Sequence, residues 1–247
     1  MIATTVDRAL DVLFRLLSEP SPVGVTELGR ALGLPKANIH RLLTSLRRRD
    51  LVERDERGRY RPGFGLVALG LGVLEREPIV AVAHPVLEAE AGALGETTFL
   101  VGARAGGLVV LDKVEGDGFL RAAPRVGAQV PVHATAAGQL FLAGAPELVE
   151  LPPGSLERFT EQSPRSRPEL ERQSREAFER GWAHNRDAWI EGLSVVAAPI
   201  VTRGRLRAAL AVAATTPRMT SLGPEAVAER AMAASRRVAG RLEGNPS

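Results

Sequence analysis

The feature that most constrains this chain is the break "LGLP" at Leu32–Pro35, set between two segments of helical apolar spacing and followed by the charged run "LVERDERGRYRPG". A glycine stops one helix by taking a left-handed conformation, and a proline opens the next, where its missing N–H is not needed. Two helices joined so tightly must cross at a steep angle, and the space between them has to be filled by a third element. Val6, Leu10, Leu13, Phe14 and Leu17 supply one: they recur at helical spacing after a cap at Thr4 or Thr5, with Asp7 in the first turn, and "SEPSPVG" ends the run. Thr26 is read as the cap of the second helix, "TELGRALG", and the third helix runs from Pro35 to about Arg48. Two short extended runs around Asp55–Gly58 then form a hairpin. Three helices and a hairpin make a winged helix-turn-helix over residues 1–62.

On the third helix, Ile39, Leu42, Leu43 and Leu46 fall within one arc at about 100° per residue and face inward. Ala37, Arg41, Thr44 and Arg48 lie opposite, flanked by Asn38 and Ser45 on one side and His40 and Arg47 on the other. A helix that enters the major groove by its N-terminal half needs this order. Asn bonds adenine, Arg bonds guanine and Ala leaves room for a thymine methyl. Arg47 and Arg48 are placed for phosphates, Thr26 near a helix start positions the backbone, Lys36 joins the DNA-binding set, and Arg57 and Arg59 on the hairpin reach phosphates or the minor groove.

Charge follows the same division. Residues 1–62 carry 12 basic and 8 acidic groups, whereas residues 63–247 carry 20 and 21. Pro35–Arg61 alone holds nine basic and four acidic residues. A local positive field on a balanced chain is the footprint of a phosphate-binding module. Thirty of the 32 basic residues are arginine, so the weight rests on position rather than on residue type.

The segment "GFGLVALGLGVLERE" (63–77) is read as a linker helix, with Gly70 and Gly72 allowing close helix packing. Gly63, Gly65 and Ala68 satisfy a loose dinucleotide fingerprint, but that motif must follow a buried strand and here follows "ERGRYRP". Residues 78–247 read as a second, α+β domain with a central antiparallel sheet. Pro78 opens a helix with a kink expected at Pro85, and two strands flank the "RAGG" turn. A third strand and a loop lie in "GFLRAAPRVGAQVPVHA", and a short helix in "TAAGQLFLAG". A longer helix spans 167–181, further strands follow, and a last helix runs from about Leu222 to Leu242. The "EGNPS" tail is expected to fray.

An enzyme finds little support. His40, His84, His133 and His184 have no metal-ligand spacing, and no GxSxG elbow or P-loop is present. Glu88 and Glu90 sit two apart on a helix and cannot converge, and Asp112 and Glu115 read as a solvated turn. Without cysteine there is no disulfide or thiolate site. No cofactor or metal is expected. The absence of a secretion signal and of a run of about 18–20 apolar residues fits a cytoplasmic protein.

The stretches "VTELGRALGLPKANIHRLLTSLRRRDLVERD", "GRYRPGFGLVALG", "LRAAPRVGAQVPVHATAAGQLFLA" and "ERGWAHNRDAWIEGLSVVAAPI" resemble the IclR family of bacterial transcription regulators, in family order over nearly the whole chain. The resemblance implies an operator-binding first domain and a GAF-like second domain that binds a small metabolite. It also implies assembly into dimers or dimers of dimers, with repression the commoner outcome. By position, the effector cavity takes Ala136, Ala137 and Gly138 at the start of the small helix, where free N–H groups suit a carboxylate. The family's acidic position is Asn185 here, with Asp187 two residues on, and the usual Lys after "AG" is Gln139. Val195, Ala211 and Ala213 stand where some members place polar groups, and Trp189, Leu120 and Phe99 are expected nearby. These departures imply an effector more apolar than a two- or three-carbon keto acid. The alternatives are a vestigial pocket, with Val195, Ala211 and Ala213 as plain core, and an architectural DNA-binding protein that takes no ligand.

Overall fold

In the computed structural model of the chain, residues 4–74, 77–118 and 124–244 are described. Leu120, most of "GFLRAA" and the last three residues of the tail lie outside them. The chain divides into two compact units, residues 1–76 and 77–247.

The first unit contains α1 (Thr5–Ser18), α2 (Val25–Leu32), α3 (Lys36–Arg47), the strands β1 (Val52–Arg54) and β2 (Tyr60–Pro62), and α4 (Phe64–Leu74). Thr4 begins α1 with a reciprocal cap: its hydroxyl accepts from the Asp7 amide, and the Asp7 carboxylate accepts from the Thr4 amide. The cap of α2 is Gly24, not Thr26. The Glu27 carboxylate reaches back to the Gly24 N–H at 3.0 Å, so the residue at the cap needs no side chain of its own. Gly33 ends α2 with φ 64°, and Leu34 N–H donates to Gly29 O at 2.9 Å. A Cβ on Gly29 would lie 2.9 Å from Leu34 O, so the tight crossing of α2 and α3 depends on that glycine.

The first core joins Val12, Leu13, Leu16, Leu28, Ile39, Leu43 and Val52. On α1 only part of the expected apolar set is inside. Leu13 is buried, but Val6, Leu10, Phe14 and Leu17 form an exposed stripe, and Val12 and Leu16 take the inward positions. The glycines after the hairpin have two kinds of surroundings. No heavy atom comes within 4 Å of where a Cβ would stand on Gly70 or Gly72, so neither is packed closely within the chain. Gly63 and Gly65 are the close ones: a Cβ on Gly63 would lie 2.2 Å from Asp50 O, and one on Gly65 2.7 Å from Arg49 O. Their amides donate to Leu51 O and Asp50 O. The fingerprint-like glycines thus seat the start of α4 against the end of α3.

In the second unit, α5 (Pro78–Leu94) continues through Pro85 as one helix and leads into β3 (Thr97–Arg104) and β4 (Gly107–Val114). β5 (Gln129–Val130), α6 (Ala136–Gly144), α7 (Arg167–Arg180), β6 (Ala183–Arg186), β7 (Leu193–Thr202) and β8 (Arg205–Thr215) follow. The chain closes with α8 (Thr216–Leu222) and α9 (Pro224–Leu242). The last helix therefore begins at Pro224, and the segment before it is a separate short helix capped by Thr215. The antiparallel sheet runs β5-β4-β3-β8-β7-β6. Its two tight hairpins carry left-handed pairs, Ala105 with Gly106 and Arg203 with Gly204, as primed two-residue turns require.

Period-two alternation assigns the two faces of the sheet. On β8, Ala208, Leu210, Val212 and Ala214 pack with α5 and α9, while Ala209, Ala211 and Ala213 face α6. Against α5, the buried carboxylate of Glu90 is held by Arg230 and Arg237 at 2.9 and 2.6 Å, and that of Glu96, just before β3, by Arg218 at 2.8 Å. Truncation of Arg230 or Arg237 leaves the Glu90 charge underpaired.

Candidate functional site

On α3 the burial pattern separates the two faces as the helical spacing predicts. Ile39, Leu42, Leu43 and Leu46 are buried, Asn38 is half-buried, and Lys36, Ala37, His40, Arg41, Thr44, Ser45, Arg47 and Arg48 are exposed. Thr44 donates its hydroxyl proton to His40 O at 2.8 Å, so toward solvent it presents a methyl group and an acceptor. Lys36, Arg41, Arg47, Arg48 and, on the hairpin, Arg57 make no ion pair among the described residues. The remaining hairpin arginines are engaged. Arg54 donates to Gly58 O and lies over the Tyr60 ring, Arg61 pairs with Glu53, and Arg59 pairs with Glu27. Thr26 is exposed in the first turn of α2. The exposed face of α3 thus carries unneutralised cations beside a small residue and an amide, the chemistry that suits a DNA groove.

The second unit holds a small cavity that opens to solvent, with about 30 Å³ of free space inside it. Strand register builds its floor: Asn185 pairs with Val195, Val195 with Ala213, and Phe99 with Ala211 across β6, β7, β8 and β3. Alanines on that face of β8 leave space where larger side chains would fill the gap beneath α6. Trp189, Ala136 and Ala137 complete the wall. Seven of the eight residues proposed for the effector, Ala136, Ala137, Asn185, Trp189, Val195, Ala211 and Ala213, line this one cavity.

Gly138 does not line it. Its amide donates to Thr135 Oγ1 at 3.1 Å, and a Cβ there would lie 1.7 Å from Val132 O, so it docks α6 on the preceding loop. The amides of Ala136 and Ala137 take no acceptor among the described residues. At a helix N-terminus such amides favour an anion. Asn185 and Thr135 in the wall are already engaged. Asn185 donates to Ala134 O at 2.6 Å and accepts from Ala188 N, and Thr135 donates to Pro131 O. Asp187 lies outside the cavity wall, accepting from Gly192 N and the Thr216 hydroxyl.

Three of the four histidines have structural partners. His133 hydrogen-bonds Glu157 O and stacks on Phe159, His184 bonds Ser194, and His84 joins α5 to Asp112 on β4. Glu115 pairs with Lys113 at 2.9 Å. Among the described residues no group of three or more His, Asp or Glu could hold a metal ion, and no helix is long and apolar enough to cross a membrane.

Comparison with known proteins agrees with both halves. The family described as "IclR helix-turn-helix domain" matches residues 5–56, and "Bacterial transcriptional regulator IclR C-terminal" matches residues 71–239. The chain is 31% identical over 225 residues to the HTH-type transcriptional regulator XynR of Escherichia coli, covering 88% of each. It is similar to the crystal structure of an IclR transcriptional regulator from Alicyclobacillus acidocaldarius, with 28% identity, 97% of each chain covered and a TM-score of 0.78. At 22% identity it shares its fold with an IclR homolog from Microbacterium hydrocarbonoxydans complexed with 4-hydroxybenzoate. That match has a TM-score of 0.84 and covers 98% of this chain and all of the other.

Proposed function

This chain belongs to the IclR family of bacterial transcriptional regulators, and from that premise we propose that it is a repressor whose operator affinity is set by a fairly apolar, carboxylate-bearing metabolite. The observation that carries the reading is the cavity itself. Its walls are mostly apolar side chains, Asn185 and Thr135 are committed to the fold, and the unpaired amides of Ala136 and Ala137 offer donors at the start of α6. A ligand with a ring or a short chain contacts such walls once they part to admit it, while its carboxylate accepts from those amides. A two- or three-carbon keto acid has too little apolar surface to gain from them.

On this reading the ligand shifts operator occupancy because it distinguishes the DNA-competent from the incompetent arrangement. Operator half-sites are read by Ala37, Asn38 and Arg41, with Lys36, His40, Thr44, Arg47, Arg48, Thr26 and the hairpin residues Arg57 and Arg59 along the backbone. The exposed apolar stripes of α1 and α4, including Phe14, Leu10, Phe64 and Leu69, support a homodimer that covers them. The domain limits are then 1–62 for DNA, 63–77 for the linker and 78–247 for the sensor.

A thermal-shift series tests the ligand class directly. Benzoate, 4-hydroxybenzoate and longer aliphatic acids are expected to raise the melting temperature, and the active acid is expected to release the protein from its operator in a gel shift. Stabilisation by glyoxylate or pyruvate alone contradicts the apolar cavity. The engagement of Asn185 and Thr135 gives a second reading its footing, a regulator whose pocket binds nothing; silence from every acid, with operator binding intact, would establish it.

A further inference from the structure

The two cations that the wing carries at its tip and return strand, Arg57 and Arg59, are not equivalent. Arg57 is exposed and has no partner among the described residues. Arg59 places Nη2 3.2 Å from Glu27 Oε2, the same carboxylate oxygen that accepts the Gly24 amide at 3.0 Å. Two further bonds fix this contact in place. Val23 N–H donates to Tyr60 O at 2.7 Å and Tyr60 N–H to Val23 O at 2.8 Å, so the residue beside Arg59 is stitched to the residue before Gly24. Glu27 therefore joins the N-terminus of α2 to the return strand of the wing, and its carboxyl lies below the usual carboxylate range because of the Gly24 amide first and Arg59 second.

We propose that Glu27 is a positioning residue for DNA binding. It holds the wing against α2 and keeps Arg59 off the phosphates, so that each wing offers DNA one cation, Arg57. This narrows the phosphate set assigned above and rests on the reading of α3 and the wing as the DNA face. The physical reason is competition. A phosphate that recruits Arg59 must first break its contact with Glu27, whereas Arg57 has no partner to leave. Glu27 further sets a negative charge beside Arg59, which disfavours a phosphate there and leaves the Arg57 side of the wing unopposed.

The experiment is the salt dependence of binding of the full chain to a mixed-sequence duplex of about 30 base pairs, because each neutralised phosphate adds about 0.9 to the slope of log affinity against log salt. Arg57→Ala is expected to lower the slope by about 0.9 per bound wing and Arg59→Ala to leave it unchanged. Glu27→Gln keeps an acceptor for the Gly24 amide while freeing Arg59, and is expected to steepen the slope by about 0.9. A slope lowered equally by Arg59→Ala and Arg57→Ala overturns the proposal, as does a Glu27→Gln slope equal to wild type. Slopes unmoved by Arg57→Ala and Arg48→Ala alike overturn the assigned DNA face, and the proposal with it.

Discussion

The side-chain amide of Asn185 lies 2.6 Å from the carbonyl oxygen of Ala134, and this bond ties the edge strand β6 to the loop that launches α6. The other end of the same side chain accepts from the Ala188 amide, which begins the turn bearing Trp189. One buried residue thus fixes two walls of the cavity. Its identity is decided by that geometry: a donor must face Ala134 O while an acceptor faces Ala188 N, and of the common side chains an amide supplies both.

Replacing Asn185 by Asp sets carboxylate oxygen against carbonyl oxygen. Loss of the buried bond is expected to cost about 1–3 kcal/mol, with Asn185→Ala in the same range. Urea denaturation measures it. A variant as stable as wild type would show that Asn185 does not pin the loop.

Gly138 and Gly92 are both helical glycines, with opposite surroundings. A Cβ at Gly138 would sit 1.7 Å from Val132 O, whereas nothing beyond the local helix backbone comes within 4 Å of one at Gly92. Gly138→Ala is expected to destabilise by about 3 kcal/mol through backbone displacement. Gly92→Ala is expected to stabilise by about 0.5–1 kcal/mol through helix propensity. Thermal melts of the two variants check the contrast, and equal effects would contradict it.

How far the sequence could be read depended on whether a position answers to its own helix or to a neighbour. The inward arc of α3 and the Thr4 cap are local patterns, and both were legible. On α1 two apolar arcs compete, and only packing against α3 and β2 decides that Val12 and Leu16 go inside while Phe14 stays out. Thr26 was misread as a cap because a Glu27 side chain reaching backwards lets a glycine serve. Gly63 and Gly65 carry the motif of a nucleotide loop, yet they are small because Asp50 O lies against them. The cavity positions followed from family order and strand alternation, whereas the engagement of Asn185 depends on contacts across 51 residues of sequence.

The exposed stripe on α1 leads to a prediction about assembly. Phe14 is 67% exposed and Leu10 45% in the single chain. Phe14→Glu combined with Leu10→Glu is expected to convert a dimer to monomers in sedimentation velocity, with the circular dichroism spectrum unchanged. An unaltered mass would contradict assembly through this stripe.

Two histidines act on stability with opposite sign. The Asp112 hydrogen bond raises the His84 pKa, so its contribution is complete below the unfolded value of about 6.5 and is lost as pH rises through the higher folded value. The pair is partly exposed, which limits the effect to about 0.2–1 kcal/mol. Burial lowers the His184 pKa, so its contribution is complete above about 6.5 and is lost as pH falls through the lower folded value. Melting temperatures from pH 5 to 8.5 are expected to show His84→Gln costing more at the acid end and His184→Gln costing more at the alkaline end. The reverse order would contradict both assignments.

The central claim is that α3 reads DNA through its N-terminal edge and holds it through its C-terminal arginines. The most direct measurement is the affinity of the wild-type, Arg41→Ala and Arg48→Ala proteins for the DNA flanking the protein's own gene and for single-base variants of the bound site, each across a range of salt. Arg41→Ala is expected to cost about 1–3 kcal/mol and to relax discrimination at one position. Arg48→Ala is expected to weaken every sequence alike and to flatten the salt dependence. Equal, sequence-blind losses from the two variants would contradict the account.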